Sequence, residues 1–295
     1  SSTDDNKKML FGHPGGGTSK TTIVVGESIN EFTSSNVTYD ADGSKSVSKA
    51  SYDGVDVTQE LSIIENSATG RDDVVKIKYI VKNDTEYAKQ VGIRIMMDTM
   101  LGGNDAAPFR VNGSDVTTET VYSGSNIPQI WQAFDSATNP GVVAQGTFYK
   151  SGDRKPDKVQ FTNWGNVTST LWDYVTQPGR SNGDSAVSIT WNKDTFTSGE
   201  TREFVTYYGL SELEQNLIPP LALSVYADNK VSISNFNYDD INANVYLDNI
   251  GDGDATDVSI KITADNLEPK YGTSLTHNYS CLLYTSPSPR DGLLS

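Results

Sequence analysis

Asp98, Asn104 and Asp105, in the stretch DTMLGGNDAAPF, have the side-chain chemistry to hold a cation or to move a proton. A glycine-containing loop that offers carboxylate and amide oxygens suits Ca²⁺, which takes such ligands in flexible geometry. No other cofactor is expected. Asp98 and Asp105 could also serve as general acid and base in glycoside hydrolysis, a task for two suitably spaced carboxylates. A plain turn, with Asp and Asn side chains bonded to their own backbone, explains the same residues.

A second set is aromatic: Trp131, Trp164 and Trp172, with Tyr174 beside the last. Flat rings stack on the apolar faces of sugars. Asp173 and Arg180 would supply the polar contacts that fix a ligand's orientation. The competing reading makes these rings plugs of a hydrophobic core or of its ends. Other chemistries have little to work with. The only histidines are His13, in a turn, and His277, near the end of the chain, and a Cys/His zinc site or a Ser-His-Asp triad would need more. The glycines at 15–17 precede Lys20-Thr21, but Thr18-Ser19 intervene, so the phosphate-loop spacing fails and a hairpin turn is expected.

The elements that must position these groups are strands. Val91, Ile93, Ile95 and Met97 alternate with Gly92, Arg94, Met96 and Asp98, a period of two with one face on a core. The strand runs directly into Gly102-Gly103-Asn104-Asp105. Ser44–Tyr52 and Val55–Ile64 alternate around Asp53-Gly54, a hairpin dipeptide. Asp73–Lys82 follows, with Lys76, Lys78 and Lys82 mostly outward, and Asn83-Asp84-Thr85 is expected to turn it into the Val91 strand as an antiparallel meander. Met9–Phe11, Thr21–Val25, Val116–Tyr122, Ile130–Phe134, Val142–Tyr149, Lys158–Trp164, Ala186–Trp191 and Arg202–Tyr208 read as further strands. The one candidate helix is Ser211–Leu217, before Pro219-Pro220, the best boundary in the chain. Beyond it, short alternating segments predict a second, smaller β-domain. Its Asp248, Asp252, Asp254 and Asp257 lack the EF-hand spacing and read as a solvated turn.

The fold class is therefore all-β: a large antiparallel sandwich over 1–218, a partial sandwich over 219–280 and a tail over 281–295. Across 295 residues, 38 acidic side chains outnumber 23 basic ones, a net charge of −15 that disfavours nucleic acid and anionic membrane surfaces as partners. No apolar run is long enough for a transmembrane helix. The chain opens at SSTDDNKK without a starting Met and reads as an internal fragment. Five Asn-x-Ser/Thr sequons occur, as expected by chance in so Asn- and Thr-rich a chain.

Resemblances follow from particular runs. VVKIKYIVKND, VGIRIMMDTML and SAVSITWNKDTFTSGETREFVTYYGL resemble a galactose-mutarotase-like β-supersandwich, and the set APF, IPQIWQAFD, FTNWG and VTYYGLS resembles a module of bacterial and archaeal secreted surface proteins. NANVYLDNIGDGDATDVSIKI resembles the front half of a CARDB-type, immunoglobulin-like adhesion module. CLLYTSPSPRD, Cys281 to Asp291, resembles a translated sequencing adapter, which would make the lone cysteine foreign to the natural segment. The surface-module and adhesion-module resemblances imply an extracellular or cell-surface location, with glycans or neighbouring surface domains as partners. Mutarotases pair a histidine acid with a carboxylate base, and no strand-borne histidine stands in the middle of this domain. The expectation is thus a non-catalytic structural or carbohydrate-binding module, with a glycan-active enzyme using Asp98 and Asp105 as the alternative.

Overall fold

The computed structural model describes residues 8–12, 15–34, 36–66, 71–138 and 140–211, and beyond them 221–227, 233–234, 237–238, 243–249, 255–263, 272 and 274–282. The runs of Val, Ile, Thr and Tyr fold as strands. In chain order these are β1 (Lys20–Val25), β2 (Ser28–Glu31), β3 (Val37–Tyr39), β4 (Lys45–Tyr52), β5 (Val55–Asn66), β6 (Arg71–Asn83) and β7 (Lys89–Asp98). Then come β8 (Phe109–Val111), β9 (Ser114–Val116), β10 (Thr120–Ser123), β11 (Ile130–Phe134), β12 (Val143–Thr147) and β13 (Lys158–Asn163). A single helical turn, α1 (Trp164–Val167), precedes β14 (Ser185–Phe196) and β15 (Thr201–Ser211).

Two antiparallel sheets result. One has six strands in the order β10-β13-β14-β7-β1-β2, the other nine in the order β3-β4-β5-β6-β15-β12-β11-β8-β9. Their inner faces meet in one core. Ile93, Ile95 and Met97 of β7, with Val187, Ile189 and Trp191 of β14, lie against Tyr79, Phe109, Trp131, Phe204 and Tyr208 of the larger sheet, all nearly inaccessible to solvent. Removing this apolar area from water is the main force holding the sandwich together. On the outer side of the larger sheet, Lys45, Glu60, Lys78 and Glu203 pair across β4, β5, β6 and β15 at 2.8 to 3.6 Å. Such half-exposed pairs contribute little individually and mark the solvated face.

The β4–β5 hairpin follows its sequence signal. Tyr52 faces Val55 across the ladder, and Asp53 and Gly54 form the two-residue turn at φ 48° and 78°. Left-handed conformation at both central positions matches the turn to the strand twist.

Two expectations are corrected. β6 and β7 do not form a meander: they belong to different sheets, and the chain crosses the sandwich at Asn83. The reason is Asn83 itself. Fully buried, it donates through Nδ2 to the carbonyls of Tyr87, Phe196 and Thr197 and accepts from the backbone N–H and hydroxyl of Thr85, which fixes the crossing. Likewise Met9–Phe11 is no hairpin partner of β1, which pairs instead with β2 and β7; Leu10 makes only a bridge to Thr99. The stretch Ser211–Leu217 begins as the last residue of β15, and 212–220, with Pro219-Pro220, lies outside the described residues.

Farther along, Leu221–Ala227 pairs with Ala243–Asn249, and Ala255–Lys261 with Thr276–Leu282. Cys281 and Leu282 close the latter strand opposite Thr256 and Ala255. Residues 283–295, Asp252 and Asp254 lie outside the described residues.

Candidate functional site

The outer face of the six-stranded sheet is where the structure gathers its polar chemistry. Residues Gly92, Arg94, Met96 and Asp98 point there, opposite the core face of β7, yet all four are buried. Gly92, Arg94 and Met96 are covered by the segment from α1 to residue 180, a strap laid over β7, β13 and β14. Beneath it Met96, Val167, Tyr174 and Ala186, with Trp164 against them, form a small second core.

Two buried charges fasten the strap. Arg94, 3% exposed, donates from Nη2 to Val167 O at 2.8 Å and from Nη1 to Thr170 O at 2.8 Å and Trp172 O at 3.4 Å. Its Nε donates to Ser188 Oγ at 3.0 Å. Burial pushes its guanidinium down to about 10, with the Asp173 charge opposing, so it stays charged at neutral pH. Glu119, also 3% exposed, is the mirror case. Its carboxylate accepts from Thr162 Oγ1, Asn166 Nδ2, Tyr174 OH and the Gln177 backbone N–H, at 2.8 to 2.9 Å. Burial raises its carboxyl, but those hydrogen bonds outweigh burial and hold it below the usual glutamate value. Gln160 Nε2 adds a bond to Tyr174 O at 2.9 Å.

At the end of the same face lies a cluster of carboxylates. β7 ends at Asp98, which stands opposite Ala186 in β14, and Asp184 sits just ahead of that strand. The loop after β7 returns Asp105 to the same place, its carbonyl accepting from Ser185 N at 2.8 Å. Asp98, Asp105 and Asp184 thereby bring one carboxylate oxygen each within 4.8 Å of one another. Asp98 is 2% exposed, and its Oδ1, like Oδ1 of Asp105, is buried with no hydrogen-bond partner among the described residues. Burial pushes the Asp98 carboxyl up to about 6; the Thr18 hydroxyl, close by but outside hydrogen-bonding geometry, opposes this, and the Asp184 and Asp105 charges add to it. Burial also raises Asp105, and burial with the Asp105 charge raises Asp184. Asp184 adopts φ 74°, a conformation that Asp and Asn tolerate better than other side chains.

The sequence-derived residues separate cleanly. Asp98 and Asp105 converge, but Asn104 does not join them: its Nδ2 donates to Asp135 O at 2.9 Å and its Oδ1 accepts from Ala106 N at 2.9 Å, the self-bonded turn chemistry. Trp131 is 1% exposed in the inter-sheet core, stacked on Tyr208 at 5.3 Å, and presents no face to a ligand. It fits because its cross-strand partner is Gly146, where a Cβ would stand 2.1 Å from the indole. Trp164 is half-buried; its indole donates to Thr18 O at 3.2 Å and its backbone N–H to Asp184 O at 2.7 Å, so it bridges strap and cluster. Tyr174 is buried on Glu119. Trp172 rests partly exposed over Gly92, where a Cβ would stand 2.6 Å from its ring. Asp173 is exposed, 3.4 Å from Lys158 Nζ, and Arg180 is exposed on Gln177.

Sequence reading missed Arg94, Glu119 and Asp184. Arg94 carries a signal in retrospect, a single cation inside a strand whose outward neighbours on either side are Gly92 and Met96. Asp184 looks like any turn residue in SNGDS, and Glu119 like any polar residue of a strand.

No protein-family model matches the chain, and no curated protein matches it. Among solved structures, a galactose mutarotase related enzyme from Lactobacillus acidophilus is similar at 7% identity and a TM-score of 0.34, over 63% of this chain and 73% of that one. An aldose epimerase homologue from C. elegans is similar at 12% identity and 0.34, over 61% and 69%. A polysaccharide lyase is similar at 10% identity and 0.37, over 71% of this chain, which spans only 28% of that one. At these scores the likeness carries nothing about substrate or site.

Proposed function

We propose that the chain is a non-catalytic module of an extracellular or cell-surface protein, and that it binds carbohydrate on the strap. The observation that carries this reading is the pinned loop around Trp172. Leu171 and Val175 are 40% and 75% exposed in it, the Asp173–Lys158 pair adds charge beside it, and Arg180 stands exposed at its end. Apolar ring surface rimmed by hydrogen-bonding groups matches a sugar, which has apolar CH faces and polar edges. Arg94 and Glu119 hold the loop before any ligand arrives, so little ordering cost remains to be met on binding. The acidic net charge disfavours nucleic acid as the partner. Glycans and neighbouring surface domains are the partners this reading expects.

A glycan array with the full chain tests it, read beside Trp172→Ala. Retention of a sugar class that the variant loses supports the reading; no retained sugar on any glycan ends it.

The alternative, a glycan-active enzyme using Asp98 and Asp105, draws on the raised Asp98 carboxyl, which resembles a poised general acid. Its difficulty is access. An acid must reach the glycosidic oxygen within hydrogen-bond distance, and Asp98 is 2% exposed beneath the loop.

A further inference from the structure

We propose that Asp98, Asp105 and Asp184 bind one divalent cation of calcium size, which ties the end of β7 and the start of β14 to the loop that follows β7. The argument begins with an unmet requirement. A buried carboxylate oxygen is ordinarily hydrogen-bonded, and leaving it bare costs free energy. Here Oδ1 of Asp98, on a side chain 98% removed from solvent by its 2% exposure, has no partner among the described residues, and neither does Oδ1 of Asp105. The groups beside them make matters worse, since each is another carboxylate. Among the described residues no lysine or arginine forms an ion pair with any of the three. The Thr18 hydroxyl, buried and also without a partner, adds a further oxygen next to Asp98.

The donor set identifies the class of ion. Carboxylate and hydroxyl oxygens, with no nitrogen or sulfur, select hard cations over zinc or copper. Two oxygens on opposite sides of one Ca²⁺ stand at most about 5 Å apart, so the 4.8 Å span accommodates it without rearrangement. Asp105 and Asp184 are only half-buried, which leaves a side open for the water ligands that complete a Ca²⁺ shell.

The ligands are also held in place. Asp98 N donates to Ser19 Oγ and Phe11 N to Asp98 O, Ser185 N to Asp105 O, and Trp164 N to Asp184 O. An ion here would fasten the N-terminal segment, the loop and the strap's first turn together.

The test uses the full chain stripped with chelator and desalted, then titrated with CaCl₂ or MgCl₂ by calorimetry and thermal melting. Asp105→Asn and Asp184→Asn each remove one charge, and Asn tolerates the positive φ at 184. The expected result is a Ca²⁺-dependent rise of the parent's midpoint, a smaller one with Mg²⁺, and at least tenfold weaker Ca²⁺ binding in both variants, whose stripped midpoints equal or exceed the parent's. Tb³⁺ provides a reading that survives if a variant folds poorly: emission excited through tryptophan in the parent, displaced by Ca²⁺ and reduced by Trp164→Phe. No heat and no midpoint change with millimolar Ca²⁺, variants that titrate like the parent, or no sensitised Tb³⁺ emission would each overturn the proposal. None of these readouts involves a sugar, so the carbohydrate reading stands or falls separately.

Discussion

Replacing Glu119 by Gln changes one atom type and no volume, yet it should loosen the strap. The carboxylate takes hydrogen bonds from Thr162, Asn166, Tyr174 and the Gln177 N–H on its two oxygens. A carboxamide can accept on one side only. Whichever way it is turned, its NH₂ meets a donor: Gln177 N–H on one side, Asn166 Nδ2 on the other. One charge-assisted bond is lost and the remainder lose their charge, a cost of about 3 kcal/mol. For a chain of this size that lowers the thermal midpoint by about 6–12 °C at pH 7. The pH dependence supplies the sign. Glu119 titrates below its ordinary 4.5 in the folded protein, so its stabilisation is complete above that value and is lost as pH falls through the depressed folded one. The difference between parent and Glu119→Gln should therefore shrink as pH falls below 4.5 and through the depressed folded value. Hydrogen exchange gives the local readout, faster amide exchange at 170–177 with the inter-sheet core unchanged. A stability difference independent of pH, or an unaltered exchange rate in the strap, would refute the reasoning.

Arg94→Met keeps the apolar stem of the side chain but leaves the carbonyls of Val167 and Thr170 without a donor, and urea unfolding should show a loss of about 2–4 kcal/mol. Trp131→Ala should cost about 3–5 kcal/mol in the same assay by opening a cavity in the inter-sheet core, with no change in any glycan retention that Trp172 supports.

How far the sequence reveals this molecule depends on which side of a sheet is asked about. Alternation of apolar residues locates the strands and their core faces, because burial against the opposite sheet follows a period of two. The Asp53-Gly54 hairpin is legible for a local reason, a turn that needs left-handed backbone. Sheet membership is not legible: nothing in Asn83-Asp84-Thr85 distinguishes a turn within one sheet from a crossing between two, since the deciding bonds go to Phe196 and Thr197, more than a hundred residues away. The same limit hides the site. Asp98 and Asp105 sit in one stretch and can be paired by eye, but Asp184 arrives through the β7–β14 ladder. Asn104, the most plausible third ligand by proximity in sequence, spends its side chain on its own loop.

The outer face of the six-stranded sheet then poses one electrostatic problem three times. Arg94, Glu119 and Asp98 are each at most 3% exposed there, and a buried charge persists only when something replaces its water. Arg94 is solvated by carbonyls, Glu119 by hydroxyl and N–H donors, and both sets come largely from the strap, so any other path of the strap would strand two charges at once. That is why a loop with few regular backbone bonds can hold a defined shape. Asp98 differs in kind. Two more carboxylates stand within 4.8 Å of its own, and burial, with a smaller addition from their charges, pushes its pKa up to about 6. Two of the three buried charges are answered from within the polypeptide, and the third is the one the proposed cation would answer from outside it.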